Sequence, residues 1–176
     1  MAHEYRWASL RRVGRVGVHA ASALAVVALL VHAWRMTPDE AMMGGAVRIL
    51  YVHVGVAWTA SLAFAVTAIG AVAYLRPRAK AMDRLAVASA EWGVVLTTAT
   101  LVSGSLWARA TQGWWWRWDD ARLTLTLMMW FIYAAYLVLR QYADDRRRPT
   151  LSAIVALAGV PAMVLNHLAT RIFPAF

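Results

Sequence analysis

Five long stretches of this chain carry almost no charge, and that pattern limits its fold more than any other feature. Val16 to Trp34 spans nineteen residues without Lys, Arg, Asp or Glu, and Ile49 to Leu75 spans twenty-seven. Leu85 to Ala108 contains one charge, Glu91; Leu123 to Leu139 and Leu151 to Thr170 contain none. A hydrocarbon layer of ~30 Å needs about twenty helical residues, and each stretch is near that length. Backbone groups in lipid must be paired within the segment, and the runs lack the alternation of barrel strands. The pattern predicts an all-α, polytopic membrane bundle: a single membrane domain over 1–176. Its helices fall at about 16–34, 49–75, 85–108, 123–139 and 151–170, with a Trp-rich loop at 109–122.

Composition excludes the main alternatives. Hydrophobic residues make up 61% of the 176 and charged residues 15%, too little polar surface for a water-soluble domain. The absence of Cys removes disulfides and thiolate chemistry. The first apolar stretch is too long for a signal-peptide core and is read as a retained span. A formal charge of +9 would suggest nucleic acid in a soluble protein. Here the cations flank the apolar stretches instead, so no nucleic-acid partner is expected.

Their distribution sets an expected orientation. Arg6, Arg11, Arg12 and Arg15 precede the first stretch; Arg76, Arg78, Lys80 and Arg84 follow the second; Arg140, Arg146, Arg147 and Arg148 follow the fourth. These twelve face one side, against six on the other: Arg35, Arg48, Arg109, Arg117, Arg122 and Arg171. The positive-inside bias puts the amino terminus in the cytoplasm and the 109–122 loop outside. Pro149 suits the start of the fifth helix, where a missing N–H costs nothing.

The outward loop holds unusual chemistry. Five of the ten Trp fall between Trp107 and Trp118, four of them at Trp114, Trp115, Trp116 and Trp118. An interfacial aromatic belt is one account of them. A wall for a large, flat, apolar ligand is the other, with Arg117 and Arg122 available to carboxylates and Asp119 or Asp120 fixing the loop. Of the five histidines, His3 lies in a polar tail, and His19 and His32 suit packing or interface roles. His53 and His167 both fall near the outward ends of their helices. Neutral imidazole is a common iron ligand, so these two could clamp an iron porphyrin, or they could be interface histidines. Glu91 is the one acid within a span; a position facing the bundle interior is expected, with Arg84 or interfacial water also within its reach.

The stretch from Gly113 through Trp114-Trp115-Trp116-Arg117-Trp118-Asp119 to Arg122-Leu123-Thr124 resembles the tryptophan-rich "WWD" signature of haem-handling proteins of cytochrome c biogenesis. The closer likeness is to the cytochrome c maturation protein C (CcmC) family, whose loop reads roughly W-G-x-W-W-x-W-D-x-R-L-T. His53-Val-Gly-Val-Ala-Trp58 is similar to that family's H-V-P-x-A-W, and Ala90–Gly93 and Ser103–Trp107 resemble its preceding helix. The resemblance covers about residues 47 to 165. It implies haem transfer to a periplasmic haem chaperone beside ABC transporter subunits and a small membrane subunit, in the inner membrane and without enzymatic activity of its own. It implies Trp114, Trp115, Trp116, Trp118, Arg122 and Asp119, interchangeable with Asp120, as the haem platform and His53 as an axial ligand, while Arg117 joins them on the reading of the residues alone. Gln112 and Gly55 depart from the family's Trp and Pro. The family's second histidine, between a fifth and a sixth helix, would fall near or beyond Pro174–Phe176. Either His167 replaces it, or, as we expect, that ligand and the sixth helix lie outside this chain. A membrane scaffold that only holds partner subunits is the alternative function. A haem lyase is disfavoured, because relatives with that activity are much longer.

Overall fold

The computed structural model describes the backbone of residues 2–76 and 79–172 and the side chains of 17–76, 79–169 and 172. Pro174–Phe176 and the side chains of His3, Arg6, Arg11, Arg12, Arg15, Arg78 and Arg171 lie outside the described residues. The described chain is helical, its one β feature being an isolated bridge between Glu40 and Gly44. Five helical segments are long and apolar enough to cross a membrane, at Gly17–Met36, Val47–Leu75, Lys80–Gln112, Ala121–Tyr142 and Arg148–Ala169. The protein is therefore an all-α, multi-pass membrane protein. The chain divides into two compact units, 1–48 and 49–176.

The first unit is the helix α1 (Ala2–Met36) and a short connector. From Gly17 onward nearly every α1 side chain is exposed, including Val18, Leu24, Val26, Leu29 and Trp34. Exposed aliphatic surface of this extent is stable in lipid and not in water. The connector is closed by its own polar groups. Glu40 accepts from the backbone of Met42 and Met43 at 2.9 and 2.8 Å. Gly44 takes a φ of 54°, which makes the turn cheap. Arg48 reaches back to the Thr37 carbonyl and to Asp39 at 2.7 Å.

The second unit is built from α2 (Val47–Leu75), α3 (Lys80–Gln112), α4 (Ala121–Tyr142), α5 (Arg148–Ala158) and α6 (Val160–Ile172). Its seam is a row of small residues on α3, Ala86, Ala90, Gly93, Thr97, Thr100, Gly104 and Ala108, spaced three or four apart along one helix face. In lipid no hydrophobic force drives helices together, so close backbone approach has to supply the packing. The row permits that approach to α2. A Cβ on Gly93 would strike the Phe64 ring at 2.3 Å, and one on Gly104 would strike His53 at 2.8 Å. From the α2 side, Gly70 lies against Ala86 and the Met82 carbonyl.

Helix α4 packs against α3, α5 and α6. Its Tyr133 is fully buried, stacks on Phe64 with ring centroids 3.8 Å apart, and donates its hydroxyl to the Ala156 carbonyl at 3.1 Å. Gly159 makes room for that ring, since a Cβ there would come within 2.7 Å of it. Asp83 and Arg140 clasp α3 to α4 through two bonds of 2.7 and 2.9 Å, both side chains largely shielded.

Two expectations are corrected. The fifth apolar stretch is not one continuous helix: it breaks at Gly159 into α5 and α6. Pro161 explains the break, because its ring cannot coexist with a helical carbonyl four residues back and it has no N–H to bond. Glu91 is exposed instead of facing the bundle interior, while its neighbours Ala90 and Gly93 hold the seam.

Candidate functional site

Helix α3 ends at Gly113, whose φ of 83° terminates it in a left-handed cap. Helix α4 begins after Asp120, which caps it by accepting from the Arg122 backbone N–H at 2.9 Å. Residues 114–119 are thus a short, doubly pinned loop. With no regular backbone, its indoles leave in different directions. Trp114 is half-buried, Trp115 and Trp118 are exposed, and Trp116 is half-buried and edge-on to Trp118 at 5.6 Å. Guanidinium groups brace two of them: Arg117 lies 5.7 Å from the Trp114 ring and Arg109 5.9 Å from Trp115.

Each loop arginine also holds an aspartate. Arg117 pairs with Asp119, through Nε at 3.0 Å and a second bond from its terminal nitrogen. Arg122 pairs with Asp120 through Nε at 3.3 Å and its terminal nitrogen at 2.9 Å. The Arg117 hydrogen bonds, which outweigh slight burial, hold the Asp119 carboxyl below the ordinary range, and the same contact raises Arg117. Burial pushes Asp120 upward, but the hydrogen bonds and charge of Arg122 and the backbone N–H groups outweigh it and leave Asp120 low. Both arginines keep 44% of their side-chain surface exposed, so each has donors to spare.

Beside this loop lies a cavity of about 220 Å³. Its lining includes His53 from α2, Thr100, Gly104 and Trp107 from α3, Trp114 from the loop, and Arg122 and Asn166 from α4 and α6. Drug-sized ligands are usually engulfed by roughly 300–1,000 Å³, so a large flat molecule would lie over this cavity with part of its edge inside. His53 is half-buried, and its Nδ1 lies 3.1 Å from the Thr100 carbonyl and 3.2 Å from Ser103 Oγ. A carbonyl only accepts, so Nδ1 carries the proton. Nε2 then holds the lone pair, and no hydrogen bond reaches it among the described residues. The Trp107 indole N–H is buried without an acceptor, an orphan donor in the cavity wall.

The structure therefore brings together His53, Trp114, Asp120 and Arg122 of the residues singled out from sequence. Trp115, Trp116, Trp118, Arg117 and Asp119 belong to the same loop but do not line the cavity. His167 is exposed on α6, with Nδ1 3.0 Å from the Met163 carbonyl and its ring edge-on to Trp58 at 5.3 Å; it does not line the cavity either. Of the two departures noted above, Gln112 lines the cavity, and Gly55 lies in the unbroken α2 helix. Sequence reasoning missed Trp107 and Asn166. Asn166 had a readable signal, being an amide within a span, and it bonds the Arg122 carbonyl and Thr126 Oγ1 at 2.9 and 2.8 Å. It thereby ties α6 to the start of α4.

A multi-pass helical protein with a braced indole loop over a histidine-lined cavity is the class that fold and site define. The family described as "Heme exporter protein C" (CcmC) matches residues 2–173, and the chain belongs to that family. It is 32% identical over 136 residues to a Heme exporter protein C of Bradyrhizobium diazoefficiens, covering 77% of this chain and 51% of the relative. It is 34% identical over 151 residues to a Heme exporter protein C of Escherichia coli strain K12, covering 82% and 61%. A Heme exporter protein C of Rhodobacter capsulatus is 30% identical over 153 residues, with coverage of 86% and 63%. The chain spans about half to three fifths of the length of these relatives.

Proposed function

We propose that this protein binds haem at the Trp-loop end of its bundle and passes it outward for c-type cytochrome biogenesis. The observation that carries the reading is His53, whose Nδ1–H bonds a backbone carbonyl, whose Nε2 meets no hydrogen bond among the described residues, and which lines one cavity with Trp114 and Arg122. Iron-binding imidazoles use this arrangement, the second nitrogen fixing tautomer and ring orientation. In this reading His53 supplies an axial nitrogen to the haem iron. Trp114 with Trp115, Trp116 and Trp118 offers apolar surface to the macrocycle, and Arg122 and Arg117 offer guanidinium forks to its propionates. Asp119 and Asp120 hold those forks in place. His167 could reach the opposite face of haem only by leaving Met163 and Trp58, so the second ligand falls to another group unless α6 shifts.

The reading extends to setting. The protein sits in the inner membrane with its amino terminus cytoplasmic and the loop in the periplasm, and it carries haem as cargo without altering it chemically. Haem leaves to a periplasmic haem chaperone, beside ABC transporter subunits and a small membrane subunit. The Heme exporter protein C names of the relatives support this assignment. Purification in detergent followed by titration with haem tests it. A Soret band that saturates with added haem is expected, and its absence would leave a scaffold that only holds partners. Reporter fusions after Gly113 that label from the cytoplasm would overturn the orientation.

A further inference from the structure

The arrangement around His53 depends on a residue that has no side chain. Thr100 and Ser103 are one turn apart on α3, and the Ser103 hydroxyl donates to the Ala99 carbonyl at 2.6 Å, leaving its lone pairs toward Nδ1. Both acceptors are within reach because the imidazole edge rests on Gly104. A Cβ built there would lie 2.8 Å from His53 Cε1, closer than such atoms approach, and a tight 3.3 Å from Nδ1, so the ring would have to shift. Histidine in water interconverts between two neutral tautomers, and only the form protonated on Nδ1 presents Nε2 to a metal.

We propose that Gly104 is a positioning residue for haem capture: its bare Cα seats the His53 ring against Thr100 and Ser103 and so fixes the tautomer that offers Nε2 to iron. This rests on the reading of His53 as a haem ligand, but the seat itself exists before haem arrives. The small-residue row on α3 thus has two roles along its length. At Gly93 it admits a core phenyl ring, and at Gly104 it admits the ligand.

The experiment uses the full chain in detergent with ¹⁵N-labelled histidine, the His53 signals being assigned by comparison with His53→Gln. In the haem-free wild type, His53 is expected as the single Nδ1–H tautomer. Gly104→Ala is expected to lose that fixed tautomer. On haem addition its apparent haem affinity should fall about 10- to 100-fold, as for other lost partners of ligating histidines, with recovery on adding free imidazole. A folded Gly104→Ala that keeps the wild-type tautomer and spectrum overturns the proposal. Should Gly104→Ala fail to fold, the His53→Ala/Gly104→Ala double variant decides: folding restored once the ring is gone supports the seat, and folding still lost refutes it. Failure of the ligand reading is separate. It would show as an unchanged haem spectrum in His53→Ala alone, whatever tautomer the haem-free protein displays.

Discussion

His53 and His167 look equivalent in sequence, each near one end of an apolar stretch, yet the fold treats them differently. His53 is held by groups forty-seven and fifty residues away on another helix, at 3.1 and 3.2 Å. His167 bonds a carbonyl of its own helix, four residues back, and stays exposed beside Trp58. A back-bond of that kind forms on any helix and fixes nothing beyond it. A bond across the seam constrains ring, tautomer and helix spacing together. The contrast teaches that a ligand candidate is recognised by what holds its second nitrogen, more than by its place in the span.

The largest expected effect tests that contrast directly. His53→Ala should abolish the Soret band of bound haem at normal membrane levels of protein, with partial recovery on adding imidazole. His167→Ala should leave the spectrum as it is. Equal losses in the two variants would mean that α6 moves to bring His167 to the iron, and would erase the distinction drawn above. Spectra of both variants from the same membrane preparation settle the point.

A middle-sized effect sharpens it on the loop side. Arg122 is fixed by Asp120, lines the cavity and retains exposed donors. Arg122→Ala should weaken haem retention more than Arg122→Lys, since lysine keeps the charge and loses only the planar fork. Charge-assisted bonds of this class contribute about 1.5–3 kcal/mol, so retention should fall roughly ten- to a hundredfold in the alanine variant. Equal retention in wild type and both variants, measured by haem titration, would remove Arg122 from the site.

The same division governs what could be read before folding. The spans were legible because lipid demands long uncharged helices, a constraint written residue by residue. The loop was legible because four indoles within Trp114–Trp118 have no ordinary reason to cluster. Less accessible were features created by contact between distant segments. Gly104 reads as one more small residue until His53 lies against it, and Trp107 reads as a belt residue until its N–H is buried. Pro161 was present in the sequence, but its effect on α5 and α6 was hidden by the unbroken apolar run around it. Glu91 misled for the opposite reason. An acid in a span suggests an interior partner, yet the seam positions beside it are taken by Ala90 and Gly93, which leaves Glu91 outside.

The smallest expected effect separates the loop from the helical half of the site by pH. Asp120 sits below the ordinary carboxylate range because Arg122 and two backbone N–H groups outweigh its burial. A carboxyl whose folded pKa is depressed contributes its stability in full above the unfolded value of ~3.9, and loses it as pH falls through the lower folded value. The loop should therefore hold its geometry unchanged between about pH 5 and 8 and loosen only below about pH 4. Solvent screens the pair, so the loss should be about 0.2–1 kcal/mol. Asp120→Asn isolates the ion pair from the helix cap, because asparagine caps a helix as well as aspartate does. That variant should keep α4 intact and respond less to acid than the wild type, as followed by the fluorescence of the loop tryptophans. An acid response as large in Asp120→Asn as in the wild type would show that the Asp119–Arg117 pair carries it, with Asp120 and Arg122 as passengers.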